Sequence, residues 1–136
     1  MRVVAEATST TVRVVIADDH PDLRKVLGLA LRFDGRFEVV GEAGDAAEAV
    51  RLAEALRPGV MILDLGMPDA SGLDAIPEIR RISPETRILV YSAWAAARSA
   101  AEAMSLGADR YLEKEAGLPE VIAALAQLCS LGEPAG

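Results

Sequence analysis

Residues 12–21 read VRVVIADDHP, an apolar run that ends at two adjacent carboxylates, Asp18 and Asp19. The run has the length and the β-branched residues of a buried strand. Two like charges at the end of such a strand are either solvated turn residues or the ligands of a positive ion. The residues that follow the other predicted strands decide between these interpretations.

The chain alternates between short β-branched runs and longer stretches in which apolar residues recur at helical spacing. The predicted strands are residues 12–17, 37–41, 60–63, 87–91 and 109–112. The predicted helices are residues 21–33, 45–56, 73–82, 95–106 and 118–131. Five strands that alternate with five helices predict an α/β fold, in which helices cover both faces of a parallel sheet.

The composition limits the class of protein. A chain of 136 residues, 51% of them hydrophobic, is long enough for one domain with a substantial core. We expect this domain at residues 12–131, between an N-terminal extension (1–11) and a C-terminal tail (132–136). The net charge of −7 argues against nucleic acid binding, which needs a cationic face. With one cysteine, no signal peptide and no membrane span, the sequence predicts a cytoplasmic protein without membrane contacts.

Polar side chains follow four of the predicted strands. Asp18 and Asp19 follow the first strand, and Asp64 follows the third. Ser92 ends the fourth, and Lys114 comes just after the fifth. Ligands of open α/β sheets bind beyond the carboxyl ends of the strands. We therefore expect three carboxylates, a hydroxyl and an ammonium group to converge at one edge of the sheet.

This set of groups suggests phosphoryl transfer. Crowded carboxylates repel one another, and Mg²⁺ relieves that repulsion because it binds a few carboxylates together with water and phosphate oxygens. A carboxylate can also act as a nucleophile and form an aspartyl-phosphate. Asp64, on the central strand, is the candidate nucleophile, and Asp18 and Asp19 are candidate metal ligands. Lys114 and Ser92 would stabilise charge on the transferred group.

Four segments, IADDHP, ILDLGMPDASGLD, YSA and GADRYLEK, resemble receiver domains of bacterial two-component response regulators from residue 12 to about 129. The resemblance implies a doubly wound (βα)5 sandwich of flavodoxin-like (CheY-like) fold, with five parallel strands in the order 2-1-3-4-5. It also implies a phosphoprotein in which Asp64 receives a phosphoryl group, in a Mg²⁺-dependent reaction, from a histidine kinase or phosphotransfer protein. The aspartyl phosphate would switch the surface of helix 4, strand 5 and helix 5, which controls partner binding, including pairing with a second copy.

The resemblance also implies roles for individual residues at the metal site. Asp64 matches the phosphoacceptor, which is a metal ligand as well. Asp19 matches a direct Mg²⁺ ligand, and Asp18 a ligand that acts mainly through water. Gly66 matches the position whose backbone carbonyl binds the metal.

Three further residues match positions that contact the phosphoryl group or respond to it. Ser92 and Lys114 match the phosphate-contacting hydroxyl and ammonium, and Ser92 and Tyr111 match the conformational switch. The His20-Pro21 pair, with Glu115 instead of proline after Lys114, resembles the subclass that usually carries a LuxR-like helix-turn-helix output domain. We expect no such domain within residues 1–136.

Several functions compete. The main one is a signalling switch that catalyses only its own phosphorylation and dephosphorylation. A receiver fragment of a DNA-binding transcriptional regulator is an alternative. An aspartyl-phosphate hydrolase of small substrates typically needs an acid at the position of Gly66, and a dinucleotide-binding enzyme needs a glycine-rich turn where this chain has DDHPD. A receiver-like interaction domain without the chemistry would not need the full acidic set.

Overall fold

The computed structural model describes residues 11–93 and 96–132, without the side chains of residues 96–98. Most of the predicted N-terminal extension and C-terminal tail therefore lies outside the described residues, as does Trp94. The domain boundaries at residues 12 and 131 stay a prediction.

Strands and helices alternate along the described chain, as predicted. The strands are β1 (Val12–Ala17), β2 (Phe37–Ala43), β3 (Val60–Leu63), β4 (Arg87–Ser92) and β5 (Arg110–Glu113). The helices are α1 (Pro21–Asp34), α2 (Ala46–Leu56), α3 (Gly72–Ile82), α4 (Ala96–Leu106) and α5 (Leu118–Leu128). Within the described residues, no helix has the length and apolar character needed to cross a bilayer.

All neighbouring strands are parallel, and the sheet order is β2-β1-β3-β4-β5. The predicted fold and strand order are confirmed. The chain moves outward from β1 to β2 and then returns to the other side of β1 to form β3. This reversal creates a switch point between β1 and β3, where the carboxyl ends of the two strands open onto a crevice.

The core has one layer on each face of the sheet. Because side chains alternate along a strand, Val15, Met61 and Val90 pack with α2, α3 and α4, whereas Ile16 and Leu89 pack with α1 and α5. Burial on both faces explains why the strands are almost continuously apolar rather than alternating.

The ends of two helices show how local sequence sets their length. The side chain of Asp45 accepts a hydrogen bond of 2.7 Å from the backbone N–H of Glu48, as expected for an aspartate at the N-cap position of a helix. The predicted fifth helix was too long, because α5 ends at Leu128. Ser130 adopts a positive φ of 57°, and the N–H of Leu131 bonds to the carbonyl of Ala126, which closes a Schellman motif.

Candidate functional site

Two buried carboxylates lie side by side at the switch point. Ala17 and Leu63 are paired in the β1–β3 ladder, so Asp18 and Asp64 leave neighbouring strands at the same level. The N–H of Asp64 also donates to the carbonyl of Ala17 at 2.9 Å. The exposed fractions of Asp18 and Asp64 are 2% and 4%, so Asp18 is not a solvated turn residue.

Lys114 reaches this pair from β5. Its ammonium nitrogen lies 2.7 Å from Oδ2 of Asp18 and 3.6 Å from Oδ1 of Asp64. Its backbone N–H donates to the carbonyl of Ser92 at 2.9 Å, which fixes the turn after β5. The peptide bond that joins Lys114 to Glu115 is trans, as expected when the next residue is not proline. The predicted convergence of Lys114 with the acidic residues is present.

His20 is a site residue that the sequence analysis missed. Its Nδ1 lies 2.8 Å from Oδ1 of Asp18 and 3.0 Å from Oδ1 of Asp19. The hydrogen bond to Asp18 is the main cause of a raised pKa for His20, and the negative charge of Asp19 adds to it. The DDHP motif did contain a signal, because a histidine directly after two aspartates can fold back onto them.

The acidic cluster fits a divalent cation. Asp18, Asp19, His20 and Asp64 each offer one donor atom, and these atoms lie within 4.8 Å of one another. Oδ1 of Asp19 is buried and accepts no hydrogen bond of good geometry from any described residue, although Nδ1 of His20 lies 3.0 Å away. An orphaned carboxylate oxygen is costly unless a cation or water satisfies it. Carboxylate oxygens are also the ligands that hard divalent cations prefer.

The pKa of Asp64 is raised, first by burial and next by the negative charge of Asp18. Lys114 opposes this shift, and so does a hydrogen bond from the backbone N–H of Gly66. The predicted role of the Gly66 carbonyl as a metal ligand stays a prediction.

Gly72 closes the loop that follows Asp64. Its backbone N–H donates to the carbonyl of Leu65 at 3.0 Å, which folds the start of α3 onto the end of β3. A Cβ atom at Gly72 would lie 2.3 Å from the backbone oxygen of Asp64. Only glycine permits this approach, and the sequence analysis had assigned Gly72 no role.

Ser92 and Tyr111, the predicted switch pair, are in contact. Ser92 is fully buried at the end of β4, and Tyr111 is half-buried against the core. Burial raises the pKa of Tyr111, and hydrogen bonds with the side chains of Ser92 and Ser99 oppose that increase. The Tyr111 hydroxyl is thus turned towards Ser92 in this structure, and the predicted role of the pair as a switch stays a prediction.

Tyr91 is a second residue that the sequence analysis missed. Its hydroxyl donates to the carbonyl of Ala116 at 2.9 Å, and the ring is almost fully buried. This bond connects β4 to the turn that carries Lys114. Nothing in the sequence marks Tyr91 as different from any other core residue of a strand.

Residues 14–126 match the family model described as the response regulator receiver domain. The transcriptional regulatory protein PdtaR of Mycobacterium tuberculosis is 41% identical over 115 residues, which are 83% of this chain and 54% of that protein. The chain spans about half the length of the first relatives that it matches.

Two crystal structures are similar to the whole described fold. A two-component response regulator of the LuxR family from Aurantimonas sp. has a TM-score of 0.83 at 31% identity, with 89% of this chain and 87% of that chain covered. A response regulator protein from Burkholderia pseudomallei, which contains a phosphorylated aspartic acid, a calcium ion and citrate, has a TM-score of 0.78 at 31% identity. That match covers 87% of this chain and 68% of the other.

Replacement of Gly72 by alanine should destabilise the protein, because the new Cβ collides with a backbone atom that cannot move without displacing Asp64. We expect a loss of about 1–3 kcal/mol in the free energy of unfolding, measured by urea denaturation. Gly28→Ala is the matched control. A Cβ at Gly28 meets no atom within 4 Å, and alanine in a helix should add ~1 kcal/mol of stability. A similar gain in both variants would contradict the predicted collision.

Asp64→Asn should stabilise the protein at neutral pH in the absence of divalent cations. The folded-state pKa of Asp64 lies above its ordinary value of 3.8, so its protonation favours folding, and this contribution is lost as pH rises through the raised pKa. The melting temperature of the variant should exceed that of wild type at pH 7. The difference should shrink as the pH falls towards about 4.

The control for this comparison is Asp22→Asn, which removes an exposed carboxylate from the first turn of α1. It should not raise the melting temperature, because Asp22 is outside the crowded site. An Asp64→Asn variant that melts at or below the wild-type temperature at pH 7 would show that Asp64 is not under electrostatic stress.

Proposed function

Because this chain belongs to the family of response regulator receiver domains, we propose that it is a phosphorylation-driven switch whose phosphoacceptor is Asp64. The donor would be the phosphohistidine of a histidine kinase or a phosphotransfer protein. One observation supports the proposal most directly. Oδ1 of the buried Asp64 lies 3.6 Å from the ammonium nitrogen of Lys114, beside two further aspartates.

The proposed reaction is an in-line displacement. An oxygen of the Asp64 carboxylate attacks phosphorus, and the new P–O bond forms while the P–N bond to the donor imidazole breaks. The imidazole keeps the electron pair of the broken bond and then takes up a proton. The ammonium of Lys114 stabilises negative charge on an oxygen of the transferred group, and the hydroxyl of Ser92 donates to another.

Mg²⁺, held by Asp18, Asp19, Asp64 and the carbonyl of Gly66, would supply the charge neutralisation that one lysine cannot give three carboxylates. Asp64 has to be ionised to attack, yet burial and Asp18 raise its pKa. Lys114 and the Gly66 amide work in the opposite direction and keep the nucleophile available. The phosphorylated aspartic acid and calcium ion of the Burkholderia pseudomallei relative support the same chemistry here.

We further propose that Ser92 transmits the phosphorylation to Tyr111. A serine hydroxyl has one donor and two acceptor positions, so Ser92 can accept from Tyr111 while it donates to a phosphoryl oxygen. Phosphorylation would then favour the inward position of Tyr111 and change the surface of α4, β5 and α5. On this surface the Arg110 guanidinium donates to Gln127 at 2.8 Å. A partner protein or a second copy of the chain would bind to this surface of α4, β5 and α5.

Several relatives are named as transcriptional regulators, which favours a second candidate, in which this chain is the receiver part of a longer, DNA-binding transcriptional regulator. Residues 1–136 carry a net charge of −7, so DNA contact would come from residues beyond them. The length of the native reading frame decides between a stand-alone switch and a regulatory domain.

Phosphorylation is tested with acetyl phosphate as a small donor in the presence of Mg²⁺. Intact-protein mass spectrometry should show one added phosphoryl group that is stable in acid and lost in base. Asp64→Asn keeps the shape of the side chain but removes the nucleophile, so labelling should disappear, and EDTA should abolish labelling of wild type. Label that persists in Asp64→Asn would place the nucleophile elsewhere.

The switch is tested with ¹³C-labelled tyrosine, because the chain has only two tyrosines, Tyr91 and Tyr111. Addition of Mg²⁺ and beryllofluoride, a phosphate mimic, should move the Tyr111 NMR signal, which Tyr111→Phe identifies. Ser92→Ala should remove most of this response. The matched control is Ser99→Ala, which deletes the other hydrogen-bond partner of Tyr111 and should keep the response. A wild-type response in Ser92→Ala would exclude Ser92 as the transmitter.

A further inference from the structure

The loop that follows Asp64 is bonded to a distant helix through Asp69. Oδ1 of Asp69 accepts a hydrogen bond of 2.9 Å from the backbone N–H of Ala46, and Oδ2 accepts one of 3.0 Å from Ala47. Ala46 and Ala47 are the first two residues of α2, where backbone N–H groups have no partner inside the helix. These bonds lower the pKa of Asp69, which is therefore ionised at neutral pH.

Helix α2 does not depend on Asp69 for its own N-cap. Asp45 occupies the cap position and bonds to Glu48, so Asp45 and Asp69 serve different N–H groups of the same helix end. Asp45 is adjacent to α2 in sequence, whereas Asp69 is 23 residues from Ala46. The bonds of Asp69 therefore join two separate parts of the chain, and a local helix cap does not explain them.

The loop between β3 and α3 is fixed at two places. The bond from Gly72 to the carbonyl of Leu65 closes its base, and Asp69 attaches its outer part to α2. Leu65 and Met67 are buried, whereas residues 68–70 are exposed. Gly66 lies on the segment between the two fixed places.

We propose that Asp69 is a positioning residue for the acidic site. By fixing the outer part of the loop to α2, it keeps the backbone of Gly66 directed at Asp64. It acts through the loop backbone between Leu65, where the Gly72 amide bonds, and Asp69, because Gly66 lies on this segment two residues from Asp64. This inference rests on the proposed function, because it concerns the binding of Mg²⁺ and the reactivity of Asp64.

The proposed coupling between the Asp69 hydrogen bonds and the Mg²⁺ site is reciprocal. If the Asp69 bonds favour the loop conformation that binds Mg²⁺, then Mg²⁺ must favour formation of the Asp69 bonds by the same factor. The first turn of α2 should therefore respond to the metal, although the side chains of Ala46 and Ala47 have no ligand atoms for it. The amide hydrogen exchange of these two residues should slow when Mg²⁺ is added.

The test compares two variants that remove carboxylates from the same helix end. Asp69→Ala removes the bonds to the loop, and Asp45→Ala removes the cap of α2 without touching the loop. The Mg²⁺ dissociation constant is measured by titration calorimetry, and the labelling rate with acetyl phosphate at saturating Mg²⁺ is measured separately. Amide exchange of Ala46 and Ala47 is followed by NMR with and without Mg²⁺.

We expect Asp69→Ala to raise the Mg²⁺ dissociation constant about threefold to tenfold, somewhat less than the ~10- to 100-fold effect of losing a group bonded directly to a metal ligand. The labelling rate at saturating Mg²⁺ should fall as well. Asp69→Asn retains an acceptor oxygen and should recover part of both losses. Asp45→Ala should lower the melting temperature but leave Mg²⁺ affinity unchanged.

Two outcomes would overturn the proposal. If Asp69→Ala and Asp45→Ala lower the melting temperature alike and neither changes Mg²⁺ affinity, Asp69 is only a helix cap. If Mg²⁺ does not slow exchange of the Ala46 and Ala47 amides in wild type, the two sites are not connected. Failure of the proposed function is distinguishable, because wild type would then bind Mg²⁺ but remain unlabelled by acetyl phosphate.

Discussion

The repulsion among the three carboxylates at the carboxyl ends of β1 and β3 is the constraint on which the site depends. Asp18 and Asp64 are almost fully buried, and Asp19 has a buried oxygen that accepts no hydrogen bond from a described residue. Lys114 bonds to Asp18 and lies near Asp64, but one ammonium group does not neutralise three carboxylates. The site therefore has an excess of buried negative charge, which a divalent cation would offset.

The parallel sheet makes this arrangement possible, because it brings the ends of all its strands to the same edge. The switch point separates the helix that follows β1 from the helix that follows β3, which leaves room for side chains between them. Close packing on both faces of the sheet holds these strands in place, since buried side chains from five helices contact them. The stability of the core thus compensates for the unfavourable electrostatics at its edge.

Three residues for which the sequence predicted no role maintain the geometry of the acidic site. Gly72 allows α3 to begin against the backbone of Asp64, and Asp69 fixes the loop between them to α2. Tyr91 bonds to the turn that carries Lys114. Each of these contacts acts on the backbone near a charged group, so each can alter the site without contacting the metal or the phosphoryl group.

The sequence alone determined the order of the elements and the residues with reactive groups. Hydrophobic periodicity is a local property of the sequence. The position of an aspartate directly after a strand, or of Asp45 at the start of a helix, is local as well. These features were therefore predicted correctly. The contacts of His20, Asp69, Gly72 and Tyr91 were decided only by the tertiary structure. Their partners are backbone or side-chain atoms whose positions depend on how strands, loops and helices pack, and a short stretch of sequence does not specify that packing. The same reason explains why the orphaned oxygen of Asp19 and the inward contact of Tyr111 became visible only in the folded chain.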